Sequence, residues 1–245
     1  MTTVLLVRHG RTTANASGVL AGWTPDVHLD DTGRAQAAAL AERLAPVPLT
    51  AVVSSPLERC QETVGSLLDG RDYVPVHHDE RVGECHYGDW TGRELKGLAK
   101  DPLWKVVQSH PSAARFPGDG GESLADMSAR AVAAVRSWNA TLGPDATYVV
   151  CSHGDVIKAI LADAFGMHLD EFQRIVVDPC SLSVVRYTEL RPFVERVNDS
   201  GGAVGSLLPP KRKAGRKRKA SSDAVVGGGA GAEAPAARPR RAAAK

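Results

Sequence analysis

VLLVRHGRTTAN, residues 4–15, is the stretch from which we interpret the rest of the chain. Its first four residues are apolar and predict a short buried strand, which Arg8, His9 and Gly10 follow at once. A guanidinium binds two phosphate oxygens in a fixed fork, and a neutral imidazole is a nucleophile that can attack phosphorus. Gly10 has no Cβ, so it lets the backbone turn tightly beside them. A surface turn with two polar residues would have the same sequence. Other segments of the chain must decide between a phosphate site and such a turn.

Two further apolar runs end in polar residues of the same kind. Residues 51–53 (AVV) precede Ser55 and Arg59, and residues 148–151 (YVVC) precede His153. We expect Ser55 to cap a helix that begins at the following proline, which places Arg59 in a first turn, where the helix dipole favours an anion. Ligands of open α/β sheets bind beyond the carboxyl ends of the strands. The three strand ends therefore predict one pocket containing two arginines and two histidines.

Apolar periodicity elsewhere predicts strands that alternate with helices. Asp31 or Thr32 is expected to cap the first long helix, and further helices are predicted from Pro56 to about Leu68 and over residues 93–108, 122–142 and 156–165. The further predicted strands cover residues 73–76, 182–187 and 193–197, and the last two are expected to form a terminal hairpin. This order predicts a three-layer αβα domain over residues 1–200, with a mostly parallel central sheet covered by helices on both faces.

Residues 201–245 have a different composition. They contain eleven Lys and Arg against Asp223 and Glu233, a formal charge of +9, so the first 200 residues carry −7 of the total of +2. The segment 211–219, KRKAGRKRK, is followed by a stretch rich in Gly, Ala and Pro. Such a composition buries too little apolar surface to fold, so we predict a disordered, low-complexity basic tail.

Three interpretations of this tail stay open. It is a solvated segment that aids solubility, it folds back onto the acidic domain, or its basic run 211–219 makes weak, salt-sensitive contact with nucleic acid or another polyanion. The last interpretation leads to a rival function for the whole chain, a polyanion-binding protein on an enzyme fold.

The remaining composition indicates a cytoplasmic protein. The four cysteines are scattered without a CxxC pair, which is typical of a reduced chain without disulfides or a zinc site. The apolar start before Arg8 is too short for a secretory signal, and no apolar run approaches the length of a membrane span.

The motifs together resemble those of the histidine phosphatase superfamily, in its phosphoglycerate mutase-like branch. The resemblance covers about residues 3–190, in the family's order and spacing. Its matching elements are RHG-x-T-x-x-N (Arg8, His9, Gly10, Thr12, Asn15), S-S-x-x-x-R (Ser54, Ser55, Arg59, then Thr63), E-x-x-Y-G-x-W-x-G (Glu84, Tyr87, Gly88, Trp90, Gly92), GES (Gly121, Glu122, Ser123) and SHG (Ser152, His153, Gly154).

The resemblance implies roles for these residues. His9 would be the nucleophile that forms a phosphohistidine, and Glu84 the general acid and base, with Asp155 as the rival acid. His153 would be catalytic and would also bind phosphate. The other implied phosphate-binding residues are Arg8, Asn15 and Arg59. An acid that works near neutral pH needs a raised pKa, so we expect Glu84 to be desolvated beside Tyr87 or Trp90. No metal or cofactor is implied.

The sequence favours a phosphatase over a phosphomutase, which stays the alternative. Between the acid and the second histidine, cofactor-dependent phosphoglycerate mutases carry a longer insertion than this chain, in which that region is the interval from Trp90 to Tyr148. They also have a Thr before the Gly-Trp pair, where this chain has Ala21 before Gly22 and Trp23. Gly22 and Trp23 are themselves weaker candidates for substrate binding. We therefore predict metal-independent hydrolysis of a small phosphorylated metabolite, a phosphate monoester.

Overall fold

The computed structural model describes residues 1–201, 226, 227 and 229. Its strands are β1 (Thr2–Arg8), β2 (Ala51–Ser54), β3 (Val76–His78), β4 (Thr147–Ser152), β5 (Leu182–Tyr187) and β6 (Pro192–Asp199). Its α-helices are α1 (Thr13–Ser17), α2 (Asp31–Leu44), α3 (Glu58–Leu68), α4 (Leu95–Leu98), α5 (Pro102–Ser109), α6 (Leu124–Leu142) and α7 (Gly154–Phe165). Short 3₁₀ turns connect several of them.

The strands form one mixed sheet in the order β3-β2-β4-β1-β5-β6. The pairs β2–β3, β2–β4 and β1–β4 are parallel, whereas β5 and β6 add an antiparallel hairpin beside β1. The predicted mostly parallel sheet is confirmed, and so is the terminal hairpin. Strand β1 lies inside the sheet with a neighbour on each side, so the end of the RHG strand is supported from both directions.

Both faces of the sheet are covered, because alternate residues of β1 point to opposite sides. Val4 and Leu6 belong to a core with residues of α6 and α7, whereas Leu5 and Val7 belong to a core with residues of α2 and α3. The continuous apolar run VLLV is therefore explained by two buried faces. This arrangement confirms the predicted three layers.

Several boundaries differ from the sequence prediction. Asp30, and neither Asp31 nor Thr32, caps α2 through its side chain, which accepts from the Gly33 N–H. Helix α3 begins at Glu58 after an N-cap at Leu57, so a start at Pro56 capped by Ser55 was wrong. The hydroxyl of Ser55 accepts from the Leu57 N–H at 3.4 Å, ahead of the helix, and also bonds the His153 ring at 2.8 Å.

Two other elements are displaced for local reasons. The third strand is Val76–His78, later than the predicted 73–76, because its pairing partner β2 aligns Val52 with Val76. The predicted helix 93–108 is two helices, since Asp101 caps α5 and Pro102 takes its first position, which begins a new helix.

The tail prediction concerns mainly residues outside the described part of the chain, including the basic run 211–219. Of the tail beyond Gly201, the structure describes Val226, Gly227 and Gly229, and these three residues line a cavity of the domain. A search of the described residues finds no helix of the length and apolarity that a bilayer crossing requires.

Candidate active site

The ends of three neighbouring strands bring the predicted residues together. Parallel pairing aligns Arg8 with Ser152 and, on the other side of β4, Ser54 with Cys151. The backbone N–H of His9 donates to the Ser152 carbonyl at 3.0 Å, which continues the ladder one residue further. Because the strands end in register, the residues that follow them reach the same edge of the sheet.

A cavity of about 220 Å³ lies at this edge. The domain lines it with His9, Thr12, Asn15, Gly18, Val19, Leu20, Ala21, Gly22, Arg59, Glu84 and Leu95, and the C-terminal segment contributes Val226, Gly227 and Gly229. The cavity therefore collects residues from five separate segments of the chain. Arg8 and His153 are fully buried beside it.

The ring of His9 is held as a neutral imidazole with one nitrogen available. Its Nδ1 lies 2.8 Å from the Gly10 carbonyl oxygen, which can only accept, so Nδ1 carries the proton and Nε2 carries a lone pair. Burial and the positive charges of Arg59 and Arg8 hold the pKa of His9 well below its usual value. A buried, unprotonated imidazole of this kind is chemically suited to nucleophilic attack.

His153 packs against His9, with ring centroids 5.1 Å apart and planes inclined by 59°. Its Nδ1 lies 3.3 Å from Nη2 of Arg59, which can only donate, so Nδ1 accepts and Nε2–H donates to Ser55 Oγ at 2.8 Å. Burial and the charge of Arg59 lower its pKa well below the usual value. Both ring nitrogens are engaged by protein groups here, and direct contact between His153 and phosphate stays a prediction.

Arg59 is placed by the first turn of α3, as predicted, and is 2% exposed. Its Nη2 donates to the Gly22 carbonyl at 2.8 Å, which fixes the plane of the guanidinium. Its Nη1 is buried and has no hydrogen-bond partner among the residues that the structure describes. A buried guanidinium nitrogen without an acceptor costs free energy, and an anionic oxygen in the cavity would satisfy it.

Glu84 lies across the cavity in a desolvated position. Burial and the negative charge of Asp155 raise its pKa to about 7, although the charges of Arg59 and Arg8 oppose this shift. The phenol of Tyr87 lies beside both carboxyl groups and donates to Asp155 Oδ2 at 3.3 Å. The expectation of a raised pKa beside Tyr87 is confirmed. A carboxyl group that titrates near neutral pH is suited to both acid and base catalysis.

Asp155, the rival acid, is fully buried and already has several partners. Its Oδ1 lies 3.4 Å from the ammonium of Lys158, and its Oδ2 accepts from Tyr87 and from the backbone N–H of Gly227. Unlike Glu84, Asp155 does not line the cavity. Its position is therefore better suited to setting the charge around Glu84 than to contacting a ligand.

The loop after β1 is fixed by contacts with α2 and α3. A Cβ on Gly10 would lie 2.7 Å from the carbonyl oxygen of Gly33, so a glycine is needed for close approach of the two backbones. Thr63 Oγ1 accepts from the Gly10 N–H at 3.0 Å and donates to the Arg59 carbonyl at 2.7 Å. One hydroxyl thus joins the loop that carries His9 to the helix that carries Arg59.

Asn15 helps to cap α1 and also lines the cavity. Its Oδ1 accepts from the backbone and side chain of Thr12 in a capping box at the start of α1. The amide nitrogen is not used in that box, and Asn15 lines the cavity. This position is consistent with the predicted donation to a phosphate oxygen.

The sequence did not predict that Arg130 and Trp23 hold the backbone of Glu84. The Glu84 carbonyl accepts from Nη2 of Arg130 at 2.9 Å and from the indole of Trp23 at 2.6 Å. Arg130 is paired in turn with Glu122, the glutamate of the GES motif. Glu122 was the one residue in the sequence that could have pointed to Arg130, since nothing in the local sequence of α6 distinguishes this arginine.

The two weaker substrate-binding candidates have different positions. Gly22 and the preceding Ala21 line the cavity, whereas Trp23 does not and stacks on His86 with ring centroids 4.5 Å apart. Within the described ranges no group of three or more His, Cys, Asp or Glu could hold a metal ion.

Comparison with known proteins identifies relatives of two activities. The family model described as histidine phosphatase superfamily, branch 1, matches residues 4–200. A glucosyl-3-phosphoglycerate phosphatase of Mycolicibacterium vanbaalenii is 35% identical over 177 residues, which cover 69% of this chain and 76% of that protein. A 2,3-bisphosphoglycerate-dependent phosphoglycerate mutase 2 of Gloeobacter violaceus is 30% identical over 186 residues, with coverages of 74% and 83%. Among solved structures, YhfR of Bacillus stearothermophilus superimposes with a TM-score of 0.75 at 29% identity, covering 81% of this chain and 98% of that one.

Proposed function

The chain belongs to the histidine phosphatase superfamily, branch 1, and from this premise we propose that it is a phosphatase that hydrolyses a small phosphate monoester through a phosphohistidine on His9. One observation supports the proposal most strongly. A neutral His9, an Arg59 nitrogen without an acceptor in the described part of the chain and a Glu84 carboxyl with a pKa of about 7 line the same 220 Å³ cavity.

In the first step, Nε2 of His9 attacks the phosphorus atom. An N–P bond forms, the P–O bond to the alcohol breaks, and protonated Glu84 gives its proton to the leaving oxygen. Arg59 and Arg8 offset the charge of the transferring phosphoryl group, and the amide of Asn15 donates to one of its oxygens. The Nδ1–H bond to Gly10 keeps the imidazole in the attacking tautomer throughout.

In the second step, water replaces the alcohol. Glu84, now a carboxylate, takes a proton from the water molecule, and the oxygen of that water attacks phosphorus. The N–P bond breaks, which releases inorganic phosphate and neutral His9. A carboxyl group with a pKa of about 7 populates both protonation states near neutral pH, so one residue can serve both steps.

Ala21 supports hydrolysis over isomerisation of a phosphoglycerate. It lines the cavity, so this part of the wall presents a methyl group and no hydroxyl that could hold a substrate carboxylate. The relatives nevertheless include a mutase as well as phosphatases, and phosphomutase activity is the second candidate.

A panel of phosphomonoesters, followed by measuring free phosphate, tests this proposal. We expect release from small esters such as glycerol 3-phosphate by the full chain, and loss of at least about 10³-fold in kcat/KM for His9→Ala, because the covalent route disappears. His110→Ala is the matched control, since that histidine is an exposed residue that follows α5. Absence of phosphate release from every ester, together with isomerisation of phosphoglycerate, would overturn the proposal in favour of the mutase.

A further inference from the structure

The C-terminal residues Val226, Gly227 and Gly229, called the C-terminal wall below, form one side of the active-site cavity. They lie 25 or more positions after the last described residue of the domain, Gly201. The side chain of Val226 is 1% exposed and belongs to the core that contains Leu20 and Tyr87. Removing a valine side chain from water to this extent favours the contact through the hydrophobic effect.

The backbone of Gly227 pairs with two charged groups of the site. Its N–H donates to Oδ2 of Asp155 at 2.8 Å, and its carbonyl accepts from Nη2 of Arg8 at 3.4 Å. Both partners are fully buried. Hydrogen bonds to buried charged groups are stronger than those between neutral groups, so these contacts give the segment a defined position.

Position 227 favours a glycine. Its φ is +73°, and a Cβ there would lie 3.0 Å from Cδ1 of Leu20 and 3.4 Å from the Tyr87 hydroxyl. The backbone at Gly227 therefore packs close to the Leu20 and Tyr87 side chains beside the cavity. The wall brings no charge and no bulky side chain near His9, so it reduces the volume of the site without replacing the phosphate's charged partners.

We propose that the C-terminal wall sets the substrate size limit by excluding phosphomonoesters with a bulky alcohol group. The cavity that remains, about 220 Å³, is below the roughly 300–1,000 Å³ typical of sites for drug-sized ligands. A phosphate with a few further atoms fits, whereas a disaccharide phosphate has to displace the wall. This inference rests on the proposed function, because it assigns the limit to the site at which the ester would bind.

Binding to a chain that cannot be phosphorylated tests the wall without turnover. In a full-length His9→Ala background, calorimetry compares glycerol 3-phosphate with trehalose 6-phosphate, two esters of primary alcohols that differ in size. Val226→Asp places a carboxylate in the apolar core contact and should dislodge the wall. We expect the affinity for trehalose 6-phosphate to rise about tenfold (~1.4 kcal/mol), while that for glycerol 3-phosphate changes less than about twofold.

Two further variants separate wall displacement from other effects. Gly227→Val should act like Val226→Asp, because its side chain would contact Leu20 and Tyr87. Val197→Asp adds the same charge to the edge strand β6, at a partly exposed position, and should change neither affinity. All strands and helices named here precede residue 202, so the thermal midpoints of the variants should show an intact domain.

Equal changes for the two esters, or no change for either, would overturn the size limit. Weaker binding of glycerol 3-phosphate in the wall variants would also overturn it, because the segment would then complete the site for every substrate. Failure of the proposed function has a different result: the wild-type chain releases phosphate from neither ester, while the size-dependent difference in binding persists.

Discussion

At the scale of single residues, burial shifts the pKa values of His9 and Glu84 in opposite directions, and the proposed mechanism needs both shifts. Burial disfavours the charged form of each group, so it lowers the pKa of the imidazole and raises that of the carboxyl. Two nearby arginines strengthen the first shift and weaken the second, whereas Asp155 strengthens the second. Near neutral pH the site then contains a neutral His9 imidazole with an unprotonated Nε2 and a Glu84 carboxyl group that is still partly protonated.

These shifts predict the pH dependence of phosphate release from an alcohol ester. The first step needs protonated Glu84, so kcat/KM should fall as pH rises above about 7, by about tenfold per pH unit. Glu84→Gln should remove this limb and lower kcat/KM by about 10²–10⁴-fold. The measurement is kcat/KM for one small ester from pH 5 to pH 9.

Asp155→Asn tests the cause of the shift. Its carboxylate raises the pKa of Glu84, so removing that charge lowers the pKa and should move the falling limb to lower pH. The amide can still accept from the Gly227 N–H, which preserves the shape of the site. A limb that stays in place in Asp155→Asn, or one that survives in Glu84→Gln, would assign the acid to another group.

The chemistry-bearing residues could be predicted from the sequence because each follows a strand or occupies a motif. Arg130 and the carbonyl of Gly22 could not, since they act through contacts that exist only after folding. Backbone carbonyls carry no sequence signal at all. The sequence thus predicted the reacting groups, and the structure added the groups that position them.

At the scale of elements, the site depends on how closely α2 approaches the loop after β1. Gly33, in the first turn of α2, and Gly10 face each other so that a Cβ on either would contact the other segment's backbone. Rigid backbones cannot move aside as a flexible side chain can, so overpacking here should be costly.

Gly10→Ala should destabilise the protein by about 1–3 kcal/mol, because its Cβ would lie 2.7 Å from the Gly33 carbonyl oxygen. Gly65→Ala is the matched control: Gly65 is exposed inside α3, and nothing lies within 4 Å of its Cβ position. That change should stabilise by about 0.5–1 kcal/mol through helix propensity. Urea unfolding measures both, and equal effects in the two variants would contradict the packing argument.

Element boundaries were the weakest part of the prediction, for a common reason. Ser55 fits the N-cap preference, yet its hydroxyl bonds His153 and the helix starts later. The break at Asp101-Pro102 was readable from local sequence, because a capping residue before proline begins a new helix. A tertiary contact therefore set the role of Ser55, whereas local sequence set the start of α5 at Pro102.

At the scale of the whole molecule, the fold assembles a site from segments far apart in sequence. The parallel order β2-β4-β1 places three strand ends side by side, which the alternation of strands and helices predicted. The wall formed by Val226 and Gly227 was not predicted, because a glycine-rich stretch has no apolar period and no motif. The interpretation in which the tail folds back onto the domain agrees with this contact, although neutral residues make it.

The central claim is that these segments meet around one phosphoryl group that His9 accepts. Glu84→Gln with para-nitrophenyl phosphate isolates that step, since nitrophenolate leaves without an acid while hydrolysis of the intermediate still needs the base. Glu80→Gln, at an exposed position four residues earlier, is the control and should turn over without a burst.

Rapid-quench measurement of nitrophenolate, with mass spectrometry of the quenched chain, is the most direct test. We predict a burst close to one equivalent in Glu84→Gln, with the phosphoryl group on His9 and no burst when His9→Ala is added. A phosphoryl group on any other residue, or a burst that survives His9→Ala, would contradict the account.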